Sequence, residues 1–222
     1  MNQEPALIRQ RMRTPPAAAI AGIIFSLLFI TSLLLIWFSI PANPLGPAVQ
    51  VINHLRTISF PLNLLPFAGI TFPWFIAVVR DRLGELEGRF FATVFLGSGL
   101  LFIAMVFSAA AAAGGIIAFL GSGTENLIQS GTYALGRAEI AQTMHIYAMK
   151  MAGVFMITTS TISLQTRAFP HWMAVLGYVL AVVLLLSVGT IQWIPLDFPL
   201  CVLSISTYIL IENLRGQAES LA

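Results

Sequence analysis

The chain has 222 residues, 58% of them hydrophobic and only 9% charged, with a formal net charge of +2. Soluble domains carry about 25% charged residues, so this composition excludes a water-covered surface and calls for lipid over most of it. The small net charge, with basic residues at segment ends and not in a patch, excludes nucleic acid as a partner.

Residues 1–16 are polar, carry Arg9, Arg11 and Arg13, and end in Pro15-Pro16. Residues 17–40 contain no charge, and a spanning helix needs about 20 apolar residues, so they predict the first span. The run is longer than the apolar region of a signal peptide, and Ser39-Ile40-Pro41-Ala42 makes a poor cleavage site. The segment is therefore expected to be kept. Residues 41–60 are loop-like, with Pro41, Pro44, Gly46, Pro47, His54 and Arg56.

Residues 61–79 predict the second span, with Pro66 and Pro73 inside it. Proline removes a backbone donor and kinks a helix, which a membrane helix tolerates where neighbours meet the freed carbonyl. Arg80 to Arg89 is a charged turn, in which Glu85 and Arg89 have favourable i,i+4 spacing. Residues 90–119 form an uncharged third span. Ser108/Ala112 and Ala111/Gly115 are small-xxx-small pairs there, which predict a helix-packing seam, because close backbone contact drives helix association in lipid.

Residues 120–138 read as a second long loop, and 140–164 as the fourth span. Residues 172–191 are the fifth span, with Trp193 after it as an interfacial anchor. Residues 196–212 are a short sixth span marked at its ends by Asp197 and Glu212, and 213–222 are a polar tail. Cys201 is the only cysteine, so no intrachain disulfide forms, and in its apolar run it reads as a packing residue. The predicted fold is all-α: a polytopic transmembrane bundle of six spans in one integral membrane domain, residues 1–222.

Orientation follows from the basic residues. With the N-terminus inside, Arg9, Arg11, Arg13, Arg80, Arg82, Arg89, Arg167 and Arg215 fall on the cytoplasmic side, and only Arg56 and Arg137 fall outside. Positive residues stay on the cytoplasmic side, so six spans with both termini cytoplasmic fit, whereas five or seven spoil the asymmetry.

The fourth span holds the main candidate chemistry. Lys150 lies near its middle, and an intramembrane charge normally faces protein or water. Lys150 is therefore expected to face the bundle interior. Its side of the helix carries Glu139, Thr143, Ile146, Gly153, Val154, Ile157 and Thr161. Glu139 is three turns away, about 16 Å, too far for a direct partner; Asp197, or a carbonyl freed by Pro66 or Pro73, is nearer to what is required. One reading ties Lys150 to such a partner to fix helix packing. The other puts Lys150, Glu139, Gln142, Thr143, His145 and Asp197 around a polar pocket.

His145 lies on a different stripe, with Met149, Ala152, Met156, Thr159 and Ser163, and Met144 and Met151 flank it. Sulfur with imidazole suits copper, and an intramembrane His suits haem. The pattern is specific for neither, since His54 and His171 fall in loops, so no metal and no cofactor is expected. The hydroxyl run Thr158-Thr159-Ser160-Thr161-Ile162-Ser163 is expected to bond to its own helix carbonyls or to neighbouring helices, with a solute-binding face as the second reading.

No HExxH, GxSxG or P-loop pattern occurs, so neither a catalytic residue nor an enzymatic activity is expected. A retinal protein would need seven spans with the lysine in the last. Span two has no proline-interrupted counterpart in the second half, which argues against a transporter built on inverted repeats.

The runs Arg89-Phe-Phe-Ala-Thr-Val-Phe-Leu-Gly-Ser-Gly99, Tyr147-Ala-Met-Lys-Met-Ala-Gly-Val-Phe-Met156 and Pro170-His-Trp-Met-Ala-Val-Leu-Gly177 resemble those of small multi-pass, six-span bacterial membrane proteins with no assigned activity. The resemblance covers spans three to five. It implies a bacterial plasma (inner) membrane location and carries over no catalytic residue. Two functions remain open: a structural or accessory membrane protein, with the bilayer and a second copy or membrane subunit as partners, or a small-solute or ion translocation or ligand-sensing unit with an outward-opening polar pocket around Lys150.

Overall fold

The computed structural model describes residues 16–39, 55–83, 89–121, 131–166, 169–186 and 193–221. The N-terminal arginines, most of the loop over 41–60 and parts of the other connections lie outside the described residues. The helices are α1 (Pro16–Ser39), α2 (Leu55–Leu83), α3 (Arg89–Gly121), α4 (Thr132–Gln142), α5 (Met149–Thr166), α6 (His171–Leu186) and α7 (Asp197–Leu221). A π-turn, Thr143–Ala148, joins α4 to α5 without a break in the helical run, and a 3-10 turn, Ile194–Leu196, leads into α7. The described residues contain no strand.

Four stretches are long and apolar enough to cross a membrane: Ala19–Phe38, Ile58–Arg80, Phe90–Phe119 and Ile194–Arg215. The helix His171–Leu186 is apolar but shorter. The π-turn and α5 carry Lys150 and the hydroxyl run, and this helix is not among the four.

Several boundaries differ from the sequence expectation. Helix α4 occupies the second half of the stretch read as a loop over 120–138. Gly131, at φ 70°, makes the turn into it, a conformation that glycine adopts without a Cβ penalty. One turn on, Arg137 donates to the Tyr133 hydroxyl at 3.3 Å and lies over its ring. Helix α2 begins ahead of Pro61 and carries all three prolines, Pro61, Pro66 and Pro73. Pro73 removes the donor for the Gly69 carbonyl, and the Phe107 ring of α3 lies against Gly69, where a Cβ would collide with it. Helix α7 continues through the stretch read as a polar tail.

The helices form a ring in which chain neighbours are spatial neighbours: α1 packs on α2, α2 on α3, α3 on the π-turn and α5, α5 on α6, and α7 returns to α1. One pair is different, since α6 touches α7 only sparsely. Inside the ring sit the rings of Phe25 and Phe29 of α1, Phe72 and Phe75 of α2, Phe95 and Phe102 of α3, Phe155 of α5 and Phe198 of α7, all fully buried. Phe72 is their centre, with centroids 4.6 Å from Phe25, 5.5 Å from Phe102 and Phe155, 5.7 Å from Phe198 and 5.9 Å from Phe75. Aromatic pairs at 4.5–7 Å contribute beyond simple burial.

Truncating the centre of this cluster removes contacts to four other helices. Phe72→Ala is expected to lower stability by about 3 kcal/mol or more, while Phe67→Ala, on the exposed side of the same helix, changes it by less than about 0.5 kcal/mol. Thermal unfolding of the two purified variants checks the contrast; equal losses would remove the cluster's special standing.

Candidate functional site

The expected polar pocket does not assemble. Lys150, Glu139 and Gln142 are exposed, while Thr143, His145 and Asp197 are partly buried. Lys150 on α5 and Asp197 on α7 stand on helices that touch each other only sparsely. Asp197 opens α7, where a carboxylate is favoured by the helix dipole. His145 lies in the π-turn, which packs on α3. Such turns recur at functional sites, but among the described residues no three His, Cys, Asp or Glu side chains group as a metal site would require.

The expectation that Lys150 faces the interior is corrected. The inward stripe of α5 is Met149, Ala152, Phe155, Met156, Thr159 and Ser163, all buried. That is the stripe on which the sequence places His145. Lys150 follows Met149 by one residue, about 100° around the helix, and so projects from the bundle's outer surface. Its depth is set by register. Phe155 stacks on Phe95 at 4.7 Å, and Ile116 lies against Gly136. Helix α3 therefore runs antiparallel to the α4–α5 run, and Lys150 falls opposite the Leu100 to Phe102 turn of α3, within the apolar stretch Phe90–Phe119. The chain thus carries an exposed cation at the depth of its buried aromatic core.

The small-residue seam on α3 is not used within the chain. Ser108, Ala111 and Gly115 are exposed and Ala112 is half-buried; a Cβ added at Gly115 would meet nothing within 4 Å. This face points away from the rest of the chain. Close glycine contacts occur at other helix pairs, α1 with α7 at Gly22, α2 with α3 at Gly69 and Gly99, and α5 with α6. A Cβ at Gly153 would come within 2.9 Å of Leu185 Cγ and 3.2 Å of the Ala181 carbonyl oxygen, and one at Gly177 would collide with Ser160 Oγ. Thr161 Oγ1 and the Tyr178 hydroxyl share a 2.7 Å hydrogen bond across the same interface.

The hydroxyl run behaves largely as the sequence implies. Thr158, Thr159 and Thr161 donate to the carbonyls of Val154, Phe155 and Ile157, each at 2.8 Å. Beyond them is a feature that sequence reasoning did not assemble: a cavity of about 20 Å³ walled by α5, α6 and α7, with Thr159, Ser160, Ser163, Gly177 and Cys201 among its lining. The alternation of hydroxyls with Met149, Ala152 and Met156 on one stripe was the available signal. The contributions of Gly177 and Cys201 depend on which helices meet there, and helix periodicity carries no such information.

These features define the class: a chain whose described residues form helices, several of them apolar enough for a membrane, with a phenylalanine core and an exposed lysine on α5. No family model matches it, and neither a curated protein nor a solved structure does.

The two glycine faces give opposite expectations for one substitution. Gly177→Leu must displace Ser160 and is expected to reduce folded protein severalfold, whereas Gly115→Leu is accommodated. Recovery of monodisperse protein from membranes, read by size-exclusion chromatography, separates them; equal recovery would return the packing seam to α3.

Proposed function

We propose that this chain is an accessory or structural membrane protein that pairs, through Lys150, with an acidic side chain of another membrane-embedded chain. The observation that carries this reading is the exposure of Lys150 on a helix whose contacts with α3 put it opposite the apolar stretch Phe90–Phe119. A lysine at the centre of a bilayer costs about 3 kcal/mol or more when it faces hydrocarbon, and that cost falls when a carboxylate from a second helix meets it. A solute path would instead call for the charge to line an internal opening, and Lys150 is not among the residues that line the described cavity. This reading assigns no reaction to the chain.

The reading includes six crossings of a bacterial plasma membrane with both termini in the cytoplasm. Four crossings rest on length and composition; α6 and the helix containing Lys150 supply the other two. Sequential antiparallel packing of neighbouring helices and the concentration of arginines on one side support this count.

Two experiments test the proposal. Native mass spectrometry of protein extracted in mild detergent is expected to show the chain in an assembly heavier than 24.1 kDa, retained by Lys150→Arg and lost in Lys150→Met while the monomer stays folded. An assembly indifferent to Lys150→Met, or a wild-type chain found only as a monomer, sinks the pairing role. For topology, a fluorescent protein fused after Ala222 is expected to fluoresce and alkaline phosphatase fused there to stay inactive; the reverse pattern rejects a cytoplasmic C-terminus.

A further inference from the structure

The threonines of α5 follow one rule and its serines do not. Thr158, Thr159, Thr161 and Thr166 each donate to the carbonyl four residues earlier, at 2.8–2.9 Å, which is how hydroxyls in apolar surroundings ordinarily satisfy themselves. Ser163 forgoes that bond. Its Oγ has no hydrogen-bond partner although the residue is only 2% exposed, and Ser163 lines the cavity between α5, α6 and α7. An unpartnered hydroxyl in an apolar interior is unfavourable.

The cavity supplies what is missing. Its volume of about 20 Å³ exceeds the roughly 10–15 Å³ that one water requires. Thr159 Oγ1, already donating to Phe155, keeps lone pairs to accept with, and Ser160 adds a second hydroxyl to the wall. No Asp, Glu, Lys or Arg lines it, so an ion entering would be left without a counter-charge. The site also lies where the ring of helices is loosest, since α6 and α7 barely touch.

We propose that this cavity is a binding site for a small neutral hydrogen-bonding molecule, of which water is the smallest, held by Ser163 Oγ and reached between α6 and α7. The site is separate from Lys150 and does not depend on the pairing role assigned to that residue.

Ser163→Ala gives a test whose sign decides. If the hydroxyl holds a guest, its removal breaks a bond and lowers the melting temperature of the purified full chain by about 2 °C or more. If the cavity is dry, removing an orphaned polar group leaves the melting temperature unchanged or raises it, and the proposal falls. Cys201 is the only cysteine of the chain and lines the same cavity, so access is read independently by mass spectrometry. Burial in apolar surroundings suppresses the reactive thiolate, so access is read from relative labelling rates followed over hours: neutral methyl methanethiosulfonate is expected to outpace a sulfonate-bearing reagent of the same reactive group by at least about tenfold, and Ser163→Leu, which fills the space, is expected to slow the neutral reagent. Equal rates for the two reagents, or indifference to Ser163→Leu, overturns the proposed route and occupant.

Discussion

Phe72 and the rings around it are the contact on which the bundle depends. In a membrane, moving an apolar side chain from lipid to a helix interface gains little hydrophobic free energy. Stability then rests on dispersion between closely fitted surfaces and on the geometric preferences of aromatic pairs. The structure concentrates both in one place. The rings of Phe25, Phe29, Phe75, Phe95, Phe102, Phe155 and Phe198 reach Phe72 directly or through one another, and Phe72 itself stands next to Pro73 in α2.

Helix α6 is the exception that explains the rest of the architecture. It sends no phenylalanine into this cluster and is held instead by close backbone approach to α5 at Gly153 and Gly177, with Thr161 and Tyr178 bonded across the interface. A helix attached along one side in this way has no strong contact left for its other neighbour. The sparse α6–α7 seam and the cavity beside it follow from that one-sided attachment. Lys150 belongs to the opposite tendency: the interior is filled with rings, so the charge is turned outward.

Much of the helical plan was legible in the amino-acid sequence, because uncharged runs between polar turns need little context. Residues 17–40 and 90–119 gave helices α1 and α3 with little adjustment, and the threonines bonded to their own carbonyls as hydroxyls in apolar helices do. What failed was azimuth. A charged residue was taken to mark the inward face, but in α5 the decisive stripe is Met149, Ala152, Met156, Thr159 and Ser163, which packs against the aromatic core. The π-turn over Thr143–Ala148 shifts the phase between α4 and α5, and no composition signal announces it. The small residues of α3 failed for a related reason: a close-packing pattern shows that a helix can be approached, not which helix approaches it. Gly153 and Gly177, isolated in sequence, are the ones that α5 and α6 use.

The position of Phe198 also bears on how the protein is made. Helices enter a membrane in the order of synthesis, and α7 follows the other six described helices. Phe198 lies within 6.2 Å of Phe25, 5.7 Å of Phe72, 4.5 Å of Phe102 and 5.9 Å of Phe155, so rings from the earlier helices surround a vacancy until α7 has been made. The same arrival brings Trp193 against Trp37 and closes the ring at α1. A nascent chain halted before α7 therefore holds the earlier rings of the core without their closing piece, and the aromatic cluster is complete only once α7 has joined it.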